Sequence, residues 1–189
     1  MRRNLFVLAV LAALAGFVAC GAYYDGNRAM GRGDYGAAIS DYQRAVGENP
    51  GNVLPRRALG RAQFAAGDLA AARETFDDLL AMAPDDWQGL FYLGLIDVAE
   101  GKREEGVSRM LTLTVPFRYY MSEELRCSVT FVAGKNLPDK ETVDLMLVYL
   151  AEVERRQDYR ERYDGSGNTN SLRVPLECPP MLGRVLYTN

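Results

Sequence analysis

A spacing of 34 residues recurs along the first half of this 189-residue chain and constrains its fold more than any other feature. The dipeptide Gly33-Asp34 returns as Gly67-Asp68, and Gly101 continues the series. Other positions keep the same period: the small residues Gly26, Gly60 and Gly94, the small residues Ala38, Ala72 and Gly106, the large residues Tyr42, Phe76 and Met110, and the prolines Pro50 and Pro84. Such self-similarity predicts a repeat architecture, in which each unit stacks on its neighbours to bury its apolar face.

Each repeated residue type has a physical role that belongs to the core or to a turn. A glycine suits the left-handed backbone with which many helices end, and a small residue lets two helices approach closely. We expect the large residues to fill the space between successive hairpins. A proline disfavours helical geometry in the residue before it, so Pro50 and Pro84 are predicted to end helices.

The period and these residue types resemble the tetratricopeptide repeat, a pair of antiparallel helices joined by a tight turn. The resemblance covers residues 20–118 as three repeats and implies an all-α, tetratricopeptide-type stack of helical hairpins. It also implies a concave groove, lined by the first helix of each repeat, that takes a protein or peptide partner. The residues of this sequence at the matching positions include Tyr23, Asn27, Arg57, Arg61, Phe64, Gln88, Phe91 and Leu95.

Two parts of this predicted groove differ in chemistry. Arg57 and Arg61 lie four residues apart on one helical face and form a basic spot able to take a carboxylate. Phe91 and Leu95 form an apolar strip beside it. An acidic and hydrophobic peptide, or a chain terminus, would suit this combination. The alternative is that the chain's own tail covers the strip.

Residues 119–163 are predicted to form a degenerate fourth hairpin whose second helix caps the stack. Ser122, with the acidic residues that follow it, is typical of the start of a helix. The segment 127–131 is also typical of a short strand. The clearest helix follows Pro138, and we expect its charged end, 152–162, to be a solvated face. Residues 164–189 are predicted to be a linker and an extended tail docked on the helices.

The amino terminus has the pattern of a targeting segment, with Arg2 and Arg3 before an apolar run. Residues 1–19 are therefore predicted to be a signal peptide. The end of the run, Phe17-Val18-Ala19-Cys20, resembles the bacterial lipobox, which implies cleavage before Cys20 and its lipidation, with fatty acyl (palmitate-type) chains. Gly21 in the next position then favours the periplasmic face of the outer membrane. The alternative is an uncleaved anchor, since about twenty apolar residues span a bilayer.

The chain contains three cysteines and no histidine. With Cys20 assigned to lipid, Cys127 and Cys178 are predicted to form a disulfide in an oxidising compartment. The missing histidine removes imidazole metal sites and serine–histidine triads, and the net charge of −3 provides no basic field for nucleic acid. We therefore expect no catalytic residue, metal or cofactor.

The sequence as a whole predicts a non-enzymatic, membrane-anchored repeat scaffold. Its partner would be a protein in a bacterial envelope assembly, of the pilus, secretion or outer-membrane biogenesis type. One alternative is a single-pass membrane-anchored spacer whose groove is occupied by its own tail. Another is an accessory to enzymes of envelope polymers.

Overall fold

A computed structural model describes residues 21–163 of the chain, and all regular secondary structure in this range is helical. The predicted signal peptide (1–19), Cys20 and the predicted tail (164–189) lie outside the described residues. Helix α1 includes residues 21–31, and the helices that follow are α2 Tyr35–Glu48, α3 Val53–Ala65, α4 Leu69–Met82, α5 Trp87–Ala99, α6 Arg103–Thr112, α7 Tyr119–Ala133 and α8 Asp139–Tyr163. The prediction of an all-α fold built from helical hairpins is confirmed.

The repeated Gly-Asp dipeptide forms the turn inside each of the first two hairpins. Gly33 and Gly67 have φ angles of 74° and 83°, a left-handed conformation that glycine adopts without steric cost. The following aspartates begin the next helix, because the side chain of Asp34 accepts the backbone N–H of Ala37, and Asp68 does the same one repeat later. Gly101 repeats the turn with a φ of 82°.

Each hairpin is closed by a large side chain that lies on a glycine 16 residues earlier. A Cβ atom added to Gly26 would lie 2.6 Å from the ring of Tyr42, and one added to Gly60 would lie 2.8 Å from Phe76. In the third hairpin, a Cβ on Gly94 would lie 2.5 Å from Met110. Each of these contacts therefore joins the two helices of one hairpin. Tyr42 also packs with Leu59 and Ala62 of the next hairpin, where the sequence predicted the large side chains to lie.

The chain divides into two compact units between Gly89 and Leu90, inside α5. In the first unit α2 packs on α3 and α3 on α4. In the second unit α6 packs on α7 and α7 on α8. Between residues 21 and 163, none of the helices combines the length and the apolar character needed to cross a membrane.

Two sequence predictions for the second unit are wrong in detail. Helix α7 begins at Tyr119, three residues before Ser122, and it contains the whole of the segment 127–131 that also suited a strand. Ser122 is buried, and its hydroxyl oxygen accepts the backbone N–H of Val115 at 2.8 Å. Its hydroxyl also donates to the backbone oxygen of Arg118, so this side chain joins the loop before the helix to its first turn.

Helix α8 begins where expected, after Pro138, but its charged end is not simply a solvated face. Glu152 is only 8% exposed. Its carboxylate accepts hydrogen bonds from Arg155 at 2.8 Å and from Arg156 at 2.7 Å. A buried carboxylate needs such partners, because an unpaired charge away from water is costly.

Candidate functional site

A pocket of about 170 Å³ opens in the first unit. Its wall comes mainly from α1, α3 and the start of α5, with one ring from α2. The lining residues are Tyr23, Asn27, Met30, Tyr42, Leu54, Arg57, Ala58, Arg61 and Gln88. The helices that line it are those to which the repeat resemblance assigns the groove.

Arg57 does not face the pocket as an isolated cation, because it is bound to Asp86. Its Nε lies 3.0 Å from Oδ2 and 3.3 Å from Oδ1 of that carboxylate, and its terminal nitrogen also contacts Oδ2. The Asp86 side chain is 4% exposed and that of Arg57 is 24% exposed. The predicted basic spot therefore contains a carboxylate of the chain itself, held in the forked geometry that arginine favours.

Asp86 also begins α5. Its Oδ1 accepts the backbone N–H of Gly89 at 2.8 Å, three residues on, which is the position that an N-cap side chain satisfies. One buried carboxylate thus links the guanidinium of α3 to the first turn of α5.

Two tyrosines, Tyr23 and Tyr42, also line the pocket. The hydroxyl of Tyr42 donates a hydrogen bond to Oδ1 of Asn27 at 2.8 Å, and the rings of Tyr42 and Tyr23 are 5.9 Å apart. Burial, and to a smaller extent the neighbouring Tyr23, raise the pKa of Tyr42 above its usual value. The phenol therefore stays a neutral donor at physiological pH and fixes the Asn27 amide at the rim.

The structure brings together five of the predicted groove residues and separates the other three. Tyr23, Asn27, Arg57, Arg61 and Gln88 line the pocket. Phe64, by contrast, is half-buried and is not part of the lining.

The predicted apolar strip is not at the surface. Phe91 is 1% exposed and Leu95 is 0% exposed. Helix α5 is apolar on nearly every side, and such a helix is buried all round. In the second unit, Phe91 lies beside residues of α7 and α8, including Val129 and Met146, with no space for a water molecule between them. It is therefore a core residue, and a partner could not reach it.

Sequence reasoning missed Asp86, although the sequence carried part of the signal. An aspartate directly before an apolar helix is a typical N-cap, and Asp86 precedes Trp87. Its pairing with Arg57, 29 residues earlier, carries no such local signal.

Among residues 21–163, the buried polar side chains all form hydrogen bonds. Every buried side-chain nitrogen or oxygen there has a hydrogen-bond partner. In the same range no group of three or more cysteine, aspartate or glutamate side chains is placed to hold a metal ion.

The structure describes one of the three cysteines. Cys127 lies in α7 and is disulfide-bonded. The two other cysteines, Cys20 and Cys178, lie outside the described residues. The pairing of Cys127 with Cys178 and the lipidation of Cys20 stay predictions.

Comparison with known families agrees with this geometry. A model of the family described as the tetratricopeptide repeat matches residues 29–90. These residues form a tetratricopeptide-repeat segment. The match runs from α1 to the start of α5 and includes the α3 side of the pocket. No curated protein matches the chain. Tetratricopeptide repeats typically bind protein partners, so the match suggests a protein-interaction role for this segment.

Proposed function

We propose that this chain is a non-enzymatic, membrane-anchored scaffold that binds a protein partner in a bacterial envelope assembly. The contact would be made through the pocket of the tetratricopeptide-repeat segment. The observation that carries the proposal is the composition of this pocket, in which apolar side chains lie beside amides and guanidinium groups.

The size of the pocket favours a peptide over a cofactor. Pockets for drug-sized molecules and cofactors measure about 300–1,000 Å³, whereas this one measures about 170 Å³. That volume fits one or two side chains of a polypeptide.

The chemistry of the pocket favours a segment that is both acidic and hydrophobic. Leu54 is 48% exposed and offers an apolar contact. Arg61 and Arg57, the latter paired with Asp86, lie on the same face of α3 as Leu54 and Ala58. Guanidinium groups bind carboxylates with paired hydrogen bonds, so an acidic side chain or a carboxyl terminus would complement this wall.

Photo-cross-linking in intact bacterial cells tests the pocket. A photoreactive phenylalanine analogue replaces Leu54, and a matched control carries it at Met82, a residue 42% exposed in the same unit but outside the pocket lining. We expect position 54 to capture a discrete partner that position 82 does not, and we expect Arg61→Gln to reduce that capture. Identical products from both positions would contradict the proposal.

Arg57 is unsuitable for this test because its replacement would leave Asp86 buried and unpaired. A cross-link from position 54 into the chain's own residues 164–189 would instead favour the alternative of a spacer that occupies its own groove.

The envelope location rests on the pattern of residues 1–20. If lipid at Cys20 is the anchor, Cys20→Ser should release the protein from membranes, since acyl chains contribute about 0.8 kcal/mol for each buried methylene. Fractionation of cells that express either form measures this. Continued tight membrane association of the variant would favour the uncleaved anchor.

A further inference from the structure

Three aromatic side chains are exposed together where α6 connects to α7. Phe117 is 107% exposed, Tyr119 is 66% exposed and Tyr120 is 38% exposed. The rings of the two tyrosines are 5.8 Å apart, edge to face. We call these three residues the aromatic knob. Adjacent exposed rings of this kind mark an interaction surface more often than scattered single apolar residues do.

Phe117 is exposed, and its backbone conformation is also energetically unfavourable. Its φ of 59° lies in the left-handed region, and in the described part of the chain no other residue except glycine has a positive φ. This conformation is costly for a residue with a Cβ atom. A strained backbone that presents an apolar ring to water gains nothing for folding, so a role in binding is the physical explanation.

The charged groups around the aromatic knob are paired with one another. Arg118 binds Glu161 at 2.7 Å, and Arg126 binds Glu123. A third pair joins Arg160 to Glu124. The surroundings of the three rings are thus close to electrically neutral, which favours neither nucleic acid nor a strongly charged protein.

We propose that the aromatic knob inserts into the interface of a phospholipid bilayer, an inference that rests on the membrane anchoring in the proposed function. A phenylalanine side chain enters the acyl region, whereas tyrosine rings suit the headgroup level because one end is apolar and the other is wet. A protruding tip needs no matching cavity in a fluid bilayer. Anchoring elsewhere in the chain raises the local concentration of bilayer around the protein, so a contact of three rings need not hold the chain on the membrane by itself.

Fluorescence tests the contact, because the chain has a single tryptophan, Trp87. The full-length chain with Trp87→Phe and Phe117→Trp is reconstituted with phosphatidylcholine vesicles whose acyl chains are brominated. A matched control places the tryptophan at Val148, which is 50% exposed on α8. We expect a blue-shifted and quenched emission from position 117 and neither effect from position 148.

Flotation of the same vesicles separates failure of the inference from failure of the anchor. If the chain floats while the tryptophan at position 117 stays unquenched, the membrane contact is overturned and the anchor remains intact. A protein partner for the knob would give this result. A chain that does not float overturns both. Equal quenching at both positions shows non-specific adsorption and also overturns the proposal.

A second variant tests whether Phe117 is retained for folding. Phe117→Gly removes the ring and relieves the left-handed strain, so its melting temperature should equal or exceed that of the parent chain. A clear fall would show that the ring contributes to packing, and it would overturn the inference.

Discussion

The carboxylate of Asp86 holds the guanidinium of Arg57 at 3.0 Å and, through its other oxygen, the first turn of α5 at 2.8 Å. This relationship joins α3 to the start of α5 beside the candidate pocket. The sequence predicted a simple basic spot at Arg57, whereas in the structure this arginine already has an acidic partner.

Asp86→Ala should lower the free energy of unfolding by about 2–4 kcal/mol, because it removes an N-cap and leaves a partly buried arginine unpaired. Asp86→Asn keeps an acceptor for the N–H of Gly89, so it should cost about 1 kcal/mol less. Urea denaturation of the two variants measures the difference. Equal losses would mean that the cap contributes nothing.

Gly94→Ala should destabilise the third hairpin by about 1–3 kcal/mol through overpacking. The added methyl group would lie 2.5 Å from Met110 and 2.8 Å from the backbone oxygen of Gly106, which cannot move aside as a side chain can. Gly47→Ala is the matched control, since nothing lies within 4 Å of its Cβ position in α2. That variant should gain about 0.5–1 kcal/mol from helix propensity. A loss of stability in both variants would contradict the close-approach explanation.

Stability in acid should depend on Glu152. The hydrogen bond from Arg155, and to a smaller extent that from Arg156, lowers the pKa of Glu152 below its usual value near 4.5 against the opposing effect of burial. A carboxyl group whose pKa is lowered by folding contributes stability above that usual value, and the contribution is lost as the pH falls through the folded-state pKa.

Glu152→Gln should therefore be less stable than the parent chain at pH 7, and the difference should shrink below about pH 4.5. Thermal unfolding followed from pH 7 to pH 3 measures it. Arg155→Gln should show the same trend, because it removes the main hydrogen-bond donor. A difference that stays constant with pH would show that Glu152 acts through packing alone.

Thiol counting on the non-reduced, denatured protein should decide the cysteine pairing. If Cys127 pairs with Cys178, Cys178→Ser frees one reactive thiol, whereas Cys20→Ser leaves Cys127 blocked. The closed loop of about 50 residues would contribute roughly 4 kcal/mol by the chain-entropy account, so reduction should lower the unfolding midpoint. The reverse thiol pattern would pair Cys127 with Cys20 and contradict lipidation at that cysteine.

The repeat was predictable because its signals are local or periodic. Gly33 and Gly67 mark turns through a backbone conformation that other residues avoid, and the spacing of Gly60 from Phe76 recurs in each hairpin. Such positions are fixed by sterics within some twenty residues of chain, so the amino-acid order contains the information directly.

The pocket was only partly predictable, because it depends on contacts between distant elements. The repeat register correctly predicted that Tyr23, Asn27 and Arg61 line one pocket. It also assigned Phe91 and Leu95 to the surface, whereas the apolar character of the whole of α5 buries them. The pairing of Arg57 with Asp86 depends on how α3 meets the start of α5, which neither periodicity nor spacing encodes.

The glycine and its large partner belong to the same hairpin in all three repeats, and this has a consequence for how such a chain can change. The glycine that admits Tyr42, Phe76 or Met110 lies in the same hairpin as that side chain, so this close contact is kept when the hairpin moves as a unit. A 34-residue segment could therefore be duplicated or deleted with its internal helix contact intact, provided that the next hairpin keeps small and apolar residues such as Leu59 and Ala62, which pack with Tyr42. Length variation in steps of one hairpin would be the easiest route by which the interaction surface of this protein is extended.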